Sequence, residues 1–178
     1  MNDDLNDSVG LDATDLRLLA KLQVDASVSN QDLAAAVHIS PATCLRRVKR
    51  LVEAGVIERR VAILSPQKMG SAAALTAFAE VSLDAQGAEH LQAFEARAVA
   101  EPEVQQCYRV APGPDVVLVI WVRDMSHYNA LVQRLFTEDA NVRNVRSYFA
   151  TRRSKFEPRV DLTPRPPPPL APASTSRS

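Results

Sequence analysis

Residues 40–55 read SPATCLRRVKRLVEAG, and the reading of the first third of the chain turns on them. Ser40 followed by Pro41 is a helix start: a capping hydroxyl, then a proline whose missing N–H costs nothing in the first turn and whose fixed φ suits it. Gly55 is the stop. At about 100° per residue, Cys44, Val48, Leu51 and Gly55 cluster within about 60° of one another, and Thr43, Arg46, Arg47, Lys49 and Arg50 take the opposite arc. The helix therefore has a core stripe, a back covered in bases, and a small hydroxyl near its N-terminal end. A helix lying in the major groove of DNA needs this pattern, because its first residues reach base edges while Arg and Lys neutralise phosphates. Ser40, Pro41, Thr43, Arg46, Arg47, Lys49 and Arg50 are the candidate DNA contacts.

Taken alone, a basic helix face is as well explained by solvation. The context decides against that. Asp12 with Asp15, and Ser29 with Asp32, have the spacing of a cap and its reciprocal acid, so two helices precede the third. Leu18, Leu19 and Leu22 follow Asp15 at i+3, i+4 and i+7, and Leu33, Ala36 and Val37 form the expected stripe of the second helix. The tight turn His38-Ile39-Ser40 joins that helix to the basic one. Three short helices bury little singly and must pack as a tri-helical unit. Val56-Ile57 and Val61–Leu64 then read as short strands, like the wing of a winged helix, with Arg59 and Arg60 adding charge close to DNA.

Beyond Ala73 the texture changes to alternating strand and helix. Strands are expected at 77–83, 104–110, 115–122 and 142–151, and helices at 88–99 and 126–136. The order β-α-β-β-α-β is the split βαβ, ferredoxin-like arrangement, with both helices on one sheet face. The uncovered face calls for a partner, and a second copy of the domain is the simplest cover. The fold class is α+β: a winged helix-turn-helix at 11–64, a hinge at 65–72 and a ferredoxin-like domain at 73–162. The ends, 1–10 and the Pro-rich 163–178, read as disordered.

The 178 residues carry 21 bases and 21 acids, so the chain is neutral as a whole. Charge is nevertheless segregated: residues 41–60 hold six bases against two acids, while 84–103 hold five acids against Arg97. A basic segment on the helix of interest speaks to an anionic partner more than net charge does. Two cysteines, Cys44 and Cys107, make neither a disulfide framework nor a metal site. No apolar run is long enough for a membrane span, and the acidic start does not resemble a secretory signal, so a cytoplasmic, nucleoid-associated protein is expected. The histidines 38, 90 and 127 are scattered, and no nucleophile–base pair or Gly-rich phosphate loop stands out. Neither an enzyme nor a cofactor is expected.

The strings LDATDLRLLAKLQVDA (11–26), LAAAVHISPATCLRRVKRLVEAGVI (33–57), LSP (64–66), MG (69–70), EPEVQQCYRV (101–110), VRDMSHY (122–128) and VRNVRSYFA (142–150) occur in an order that resembles the Lrp/AsnC family, the feast/famine regulators of prokaryotes. The resemblance implies a hinge between a winged helix-turn-helix and a sensor domain. It also implies homodimers that assemble further, often to octamers, and an amino-acid effector. Family members carry a Thr/Ser-Gly-Asp-x-Asp loop between the second and third sensor strands, where this chain has Ala111-Pro112-Gly113-Pro114-Asp115. The usual Gly-Tyr before the wing is Arg59-Arg60. The positions matching the family's ligand site, at an interface between subunits, are Gly113, Asp115, Tyr148 and Ala150. On that reading Asp115 holds a ligand ammonium, while Pro112 and Pro114 have no N–H to offer its carboxylate. The alternatives are a ligand-independent architectural regulator, or an assembly module whose helix-turn-helix contacts protein.

Overall fold

Asp12 opens the first helix in the way its sequence spacing predicts. Its carboxylate accepts the Thr14 and Asp15 N–H groups at 2.8 Å each, and the Asp15 carboxylate accepts the Asp12 N–H at 3.2 Å. A computed structural model describes residues 10–70 and 73–162, so the expected disordered ends lie outside the described residues, Gly10 excepted. The chain divides into two compact units, one of Met1–Ile63 with Glu157–Ser178 and the other of Leu64–Phe156.

In the first unit, α1 (Ala13–Leu22), α2 (Asn30–Val37) and α3 (Pro41–Glu53) pack around Leu18, Leu33, Ala34, Val37, Cys44 and Val48. Leu22, Val28, Ile39 and Ile57 close the edges of this core. Full burial of a side chain such as Leu18 contributes about 1.5–3 kcal/mol. The α2 stripe differs from expectation by one residue: Ala34 is buried and Ala36 is exposed. Residues 34 and 37 are one helical turn apart and flank Leu33, so the neighbouring helices meet α2 along that side. Residues 58–65 carry neither helix nor strand, and Val61, Ile63 and Leu64 are exposed. The expected wing strands are thus not formed within one chain, because no strand among the described residues pairs with them. Residues 157–162, expected in the sheet domain, belong to the first unit. The Gln23 side-chain amide holds them, donating to the Val160 carbonyl at 3.2 Å and accepting its N–H at 2.7 Å.

The second unit begins with a short 3-10 turn, Pro66–Met69, that ends at Gly70 with φ +74°, a value glycine tolerates best. Then follow β1 (Leu75–Leu83), α4 (Ala88–Ala100), β2 (Val104–Arg109), β3 (Val116–Val122), α5 (Met125–Val132, continued by a π turn Gln133–Thr137) and β4 (Val142–Phe149). The antiparallel sheet has the order β2-β3-β1-β4, the ferredoxin-like arrangement. Strand residues alternate between faces. Ala77, Ala79, Val81 and Leu83 of β1 and Val116, Leu118, Ile120 and Val122 of β3 are buried against Phe94 and Ala98 of α4 and against Leu131, Leu135 and Phe136. On the other face, no described helix of this unit covers Phe78, Val117, Val119, Trp121, Tyr108 and Tyr148, whose side chains are half-buried or exposed. Tyr128 is a packing residue: its ring meets Phe149 edge-on at 4.9 Å, and its hydroxyl bonds the Ser147 hydroxyl.

Candidate nucleic-acid interface

The turn that presents α3 is built from backbone geometry. His38 adopts the left-handed conformation (φ 59°, ψ 50°), and the Ile39 N–H returns to the Ala34 carbonyl at 3.0 Å, satisfying α2's last carbonyls. The Ser40 hydroxyl accepts the Thr43 N–H at 3.2 Å and donates to the Thr43 hydroxyl at 2.9 Å. Asn30, at the start of α2, donates its amide to the Pro41 carbonyl at 2.9 Å, so the two helices are pinned at the turn as well as in the core.

Cys44, Val48 and Leu51 face inward, as the wheel predicts, and burial pushes the Cys44 thiol up from its ordinary pKa. Ser40, Pro41, Arg46 and Lys49 are exposed and Thr43 is half-buried. Lys49 reaches Glu53 at 3.6 Å in a pair that water screens on all sides. Arg59 and Arg60 are exposed in the segment after α3. Two expected members of the basic arc are engaged by acids of α1, Arg47 turned inward and Arg50 still 47% exposed. Arg47 turns toward α1 and bonds Asp12 at 2.6 Å and Asp15 at 2.9 Å, and Arg50 bonds the other Asp15 oxygen. Arg47 keeps only 25% of its side chain exposed, and Asp15 keeps none. The Asp15 N–H donated to Asp12, together with Arg47 beside it, holds the Asp12 carboxyl below the ordinary range.

Asp15 was legible in principle. It falls on the same stripe as Leu18, Leu19 and Leu22, and a carboxylate on a buried stripe requires a cationic partner. Arg47 and Arg50 lie three apart, on one side of a helix that must pack nearby. Leu45 and Val52 are further unanticipated members of the outer arc, 62% and 46% exposed. They are seven residues apart and so share a side, flanking Lys49.

The four positions matched to an effector site divide into two pairs. Gly113, with φ +124°, lies in the exposed loop before β3. Asp115 is not a free carboxylate: it accepts the Leu83 N–H at 2.7 Å and the Gln86 amide at 3.4 Å, and its own N–H goes to the Val81 carbonyl. It locks the end of β1. Tyr148 stands on the uncovered sheet face opposite Phe78, its hydroxyl 3.5 Å from Glu80, and the Ala150 N–H bonds Thr76 at the other end of β1. Along β1 the Asp115 end lies about 13 Å from Tyr148, opposite Phe78, and about 20 Å from Ala150, beside Thr76. Within one chain they make no common site.

Comparison with known proteins finds a match for each of the two units. Residues 11–58 match the family described as winged helix-turn-helix DNA-binding, and residues 76–160 match the Lrp/AsnC ligand binding domain. The chain is 35% identical to the leucine-responsive regulatory protein of Rhizobium meliloti, covering 86% of this chain and 97% of that one. It is 34% identical to the transcriptional activator DecR of Escherichia coli, over 82% of this chain and 95% of that protein. Among solved structures, an AsnC family regulator from Agrobacterium tumefaciens superposes with a TM-score of 0.76 at 32% identity, covering 85% of this chain and 97% of that one. A regulator from Neisseria meningitidis in complex with L-Met gives a TM-score of 0.74 at 30% identity, over 86% of this chain and 97% of that one. Having both the helix-turn-helix and the sheet unit, and relatives that match it across both, the chain belongs to the Lrp/AsnC family of helix-turn-helix transcriptional regulators.

Proposed function

We propose that this regulator binds specific DNA sites through the outer arc of α3, as a homo-oligomer joined through the sheet unit, and adjusts its occupancy in response to an amino acid. The observation that carries the first part is the division of α3: Cys44, Val48 and Leu51 hold it to the core, while Arg46 and Lys49 stand exposed on the outside. Ser40, Pro41 and Thr43 lie at the end that would enter the groove, and Arg59 and Arg60 would meet the flanking phosphates.

The sheet face bearing Phe78, Val119, Trp121 and Tyr148 supports assembly, because a second copy of the same face would bury its aromatic and aliphatic side chains. An amino-acid effector is supported by the L-Met complex of the similar Neisseria regulator. In the single chain Asp115 already accepts the Leu83 N–H, and a pocket using Tyr148 and Ala150 as well would take the two pairs of residues from different subunits. The protein acts where the chromosome is, in the cytoplasm, as a binder of DNA and not as a catalyst.

The exposed pair Leu45 and Val52 favours a second reading, in which this arc contacts protein, since apolar anchors are common at such surfaces. Selection of genomic fragments by the purified full chain, with and without each common amino acid, separates the two. Enrichment of fragments sharing a sequence, changed by at least one amino acid, is expected. Retention of no DNA above a mixed-sequence background at moderate salt would contradict the reading.

A further inference from the structure

Four bases project from α3, but the first unit does not present four free charges. Asp15 has no exposed surface, and its two oxygens divide between Arg47 and Arg50 while one also accepts the Asp12 N–H. Asp12 adds a second carboxylate to Arg47. Two acids on α1 thus neutralise two bases on α3, and the Arg47 guanidinium is turned far enough inward that its Nε is buried without a partner. Lys49, by contrast, is 72% exposed with one weak pair to Glu53, and Arg46 has no ion pair among the described residues.

We infer that Asp15 is a positioning residue for DNA binding: it clamps α3 to α1 through Arg47 and Arg50 and withdraws both arginines from the phosphate-binding charge, leaving Arg46 and Lys49 as the helix's DNA-directed cations. This rests on the DNA-binding reading and divides labour within it. Three physical steps support the division. A carboxylate with no access to water is costly to bury without cationic hydrogen-bond donors, and among the described residues α3 supplies them. A guanidinium shared between two carboxylates, one of them buried, must give up that pairing before it can serve a phosphate. The counterions released on binding DNA are set by the cations that actually replace them at phosphates, so residues already paired within the protein add little to the salt dependence.

The clamp also fixes orientation. Arg47 and Arg50 lie one turn apart, so two contacts to one rigid carboxylate restrain both the roll and the height of α3 against α1. Base readout depends on that placement, because a side chain in the groove must meet base edges at hydrogen-bond distance.

The test uses the full chain and a mixed-sequence DNA duplex long enough to hold the oligomer. The slope of log affinity against log salt and the thermal midpoint are measured for R46Q, K49Q, R47Q, D12N and D15N. R46Q and K49Q are expected to flatten the slope by about one ion per protomer with an unchanged midpoint. R47Q is expected to lower the midpoint and leave the slope as it is. D15N frees both arginines, so it is expected to lower the midpoint yet bind the duplex more tightly with a steeper slope. A purely structural aspartate would give the first effect without the second. D12N retains a capping side chain and removes one counter-charge, so it provides the same readout, smaller, if D15N does not fold. Flattening by R47Q equal to that by R46Q with no loss of midpoint, or unchanged slopes in the folded aspartate variants, would overturn the assignment. Absence of any salt-dependent binding by the unaltered chain would instead count against the DNA-binding reading.

Discussion

The buried cluster of the sheet unit holds 14 side chains and no charged group, whereas the six-residue cluster of the DNA-binding unit lies in the same small fold as a fully buried carboxylate. Charges in the sheet unit stay at its rim: Arg97 pairs with Asp139, Arg109 with Glu95, and Arg134 with Glu101 and Glu103. A unit built from three short helices buries too little apolar surface to fix its helices by packing alone. The ion pair from α1 to α3 supplies a directional contact in its place. The difference teaches that the sheet is held by volume, and the recognition helix by geometry.

The comparison breaks most sharply at the core of the sheet unit. Phe94, packed against Phe136 with ring centroids 6.5 Å apart, is almost without exposed surface. Phe94→Ala is expected to destabilise that unit by about 3–5 kcal/mol, read by calorimetry of the full chain, through lost transfer energy and the cavity left behind. Asp15→Ala is the counterpart in the other unit. Its expected cost is about 2–3 kcal/mol, below that of breaking a fully buried pair, because the two arginines left behind can turn to water. Equal and small effects of both variants would dissolve the distinction between the units.

Smaller effects sharpen it. Ser40→Ala removes the hydroxyl that caps α3 and contacts Thr43, and is expected to cost about 1 kcal/mol in denaturant unfolding. The smallest effect is a pH dependence. The Asp15 N–H and the Arg47 guanidinium hold the Asp12 carboxyl below its ordinary range. A carboxyl lowered by folding contributes stability that is complete above the unfolded pKa of about 3.9 and is lost as pH falls through the lowered value. Asp12→Asn keeps the cap and removes the titration, so unfolding midpoints followed down to acid pH are expected to fall less steeply for the variant than for the unaltered chain.

What could be read in the sequence was what is local. Asp12 with Asp15, Ser29 and Ser40 announce their helices because a cap is satisfied within one turn, and Cys44, Val48 and Leu51 announce the buried side of α3 because they share its period. The unbroken apolar run Val116–Val122 likewise reads as a strand, and its side chains prove to alternate between buried and half-buried. Features that depend on a second element were harder to see. A wheel drawn on α3 alone places Arg47 and Arg50 among the bases but has no knowledge of Asp15 on α1. The apolar residues Val61, Ile63 and Leu64 have a strand's composition, yet pairing needs a partner strand that the single chain does not provide. Asp115 and Tyr148 match one ligand site by resemblance, but Asp115 bonds the Leu83 end of β1 while the register sets Tyr148 opposite Phe78, near the middle of that strand. Gln23 gave no signal at all, since its partner is the backbone of Val160, 137 residues away.

The central claim is that the outer arc of α3 meets DNA. It is tested most directly by the affinity of the Arg46→Ala/Lys49→Ala double variant for a genomic fragment enriched by the unaltered protein, beside a scrambled duplex of equal length. With the fold intact by circular dichroism, affinity for the enriched fragment is expected to fall by about 1–3 kcal/mol for each side chain that reads a base, and the salt dependence to flatten by about one ion for each that neutralises a phosphate. Binding of the enriched fragment with unaltered affinity and unaltered salt dependence would contradict it.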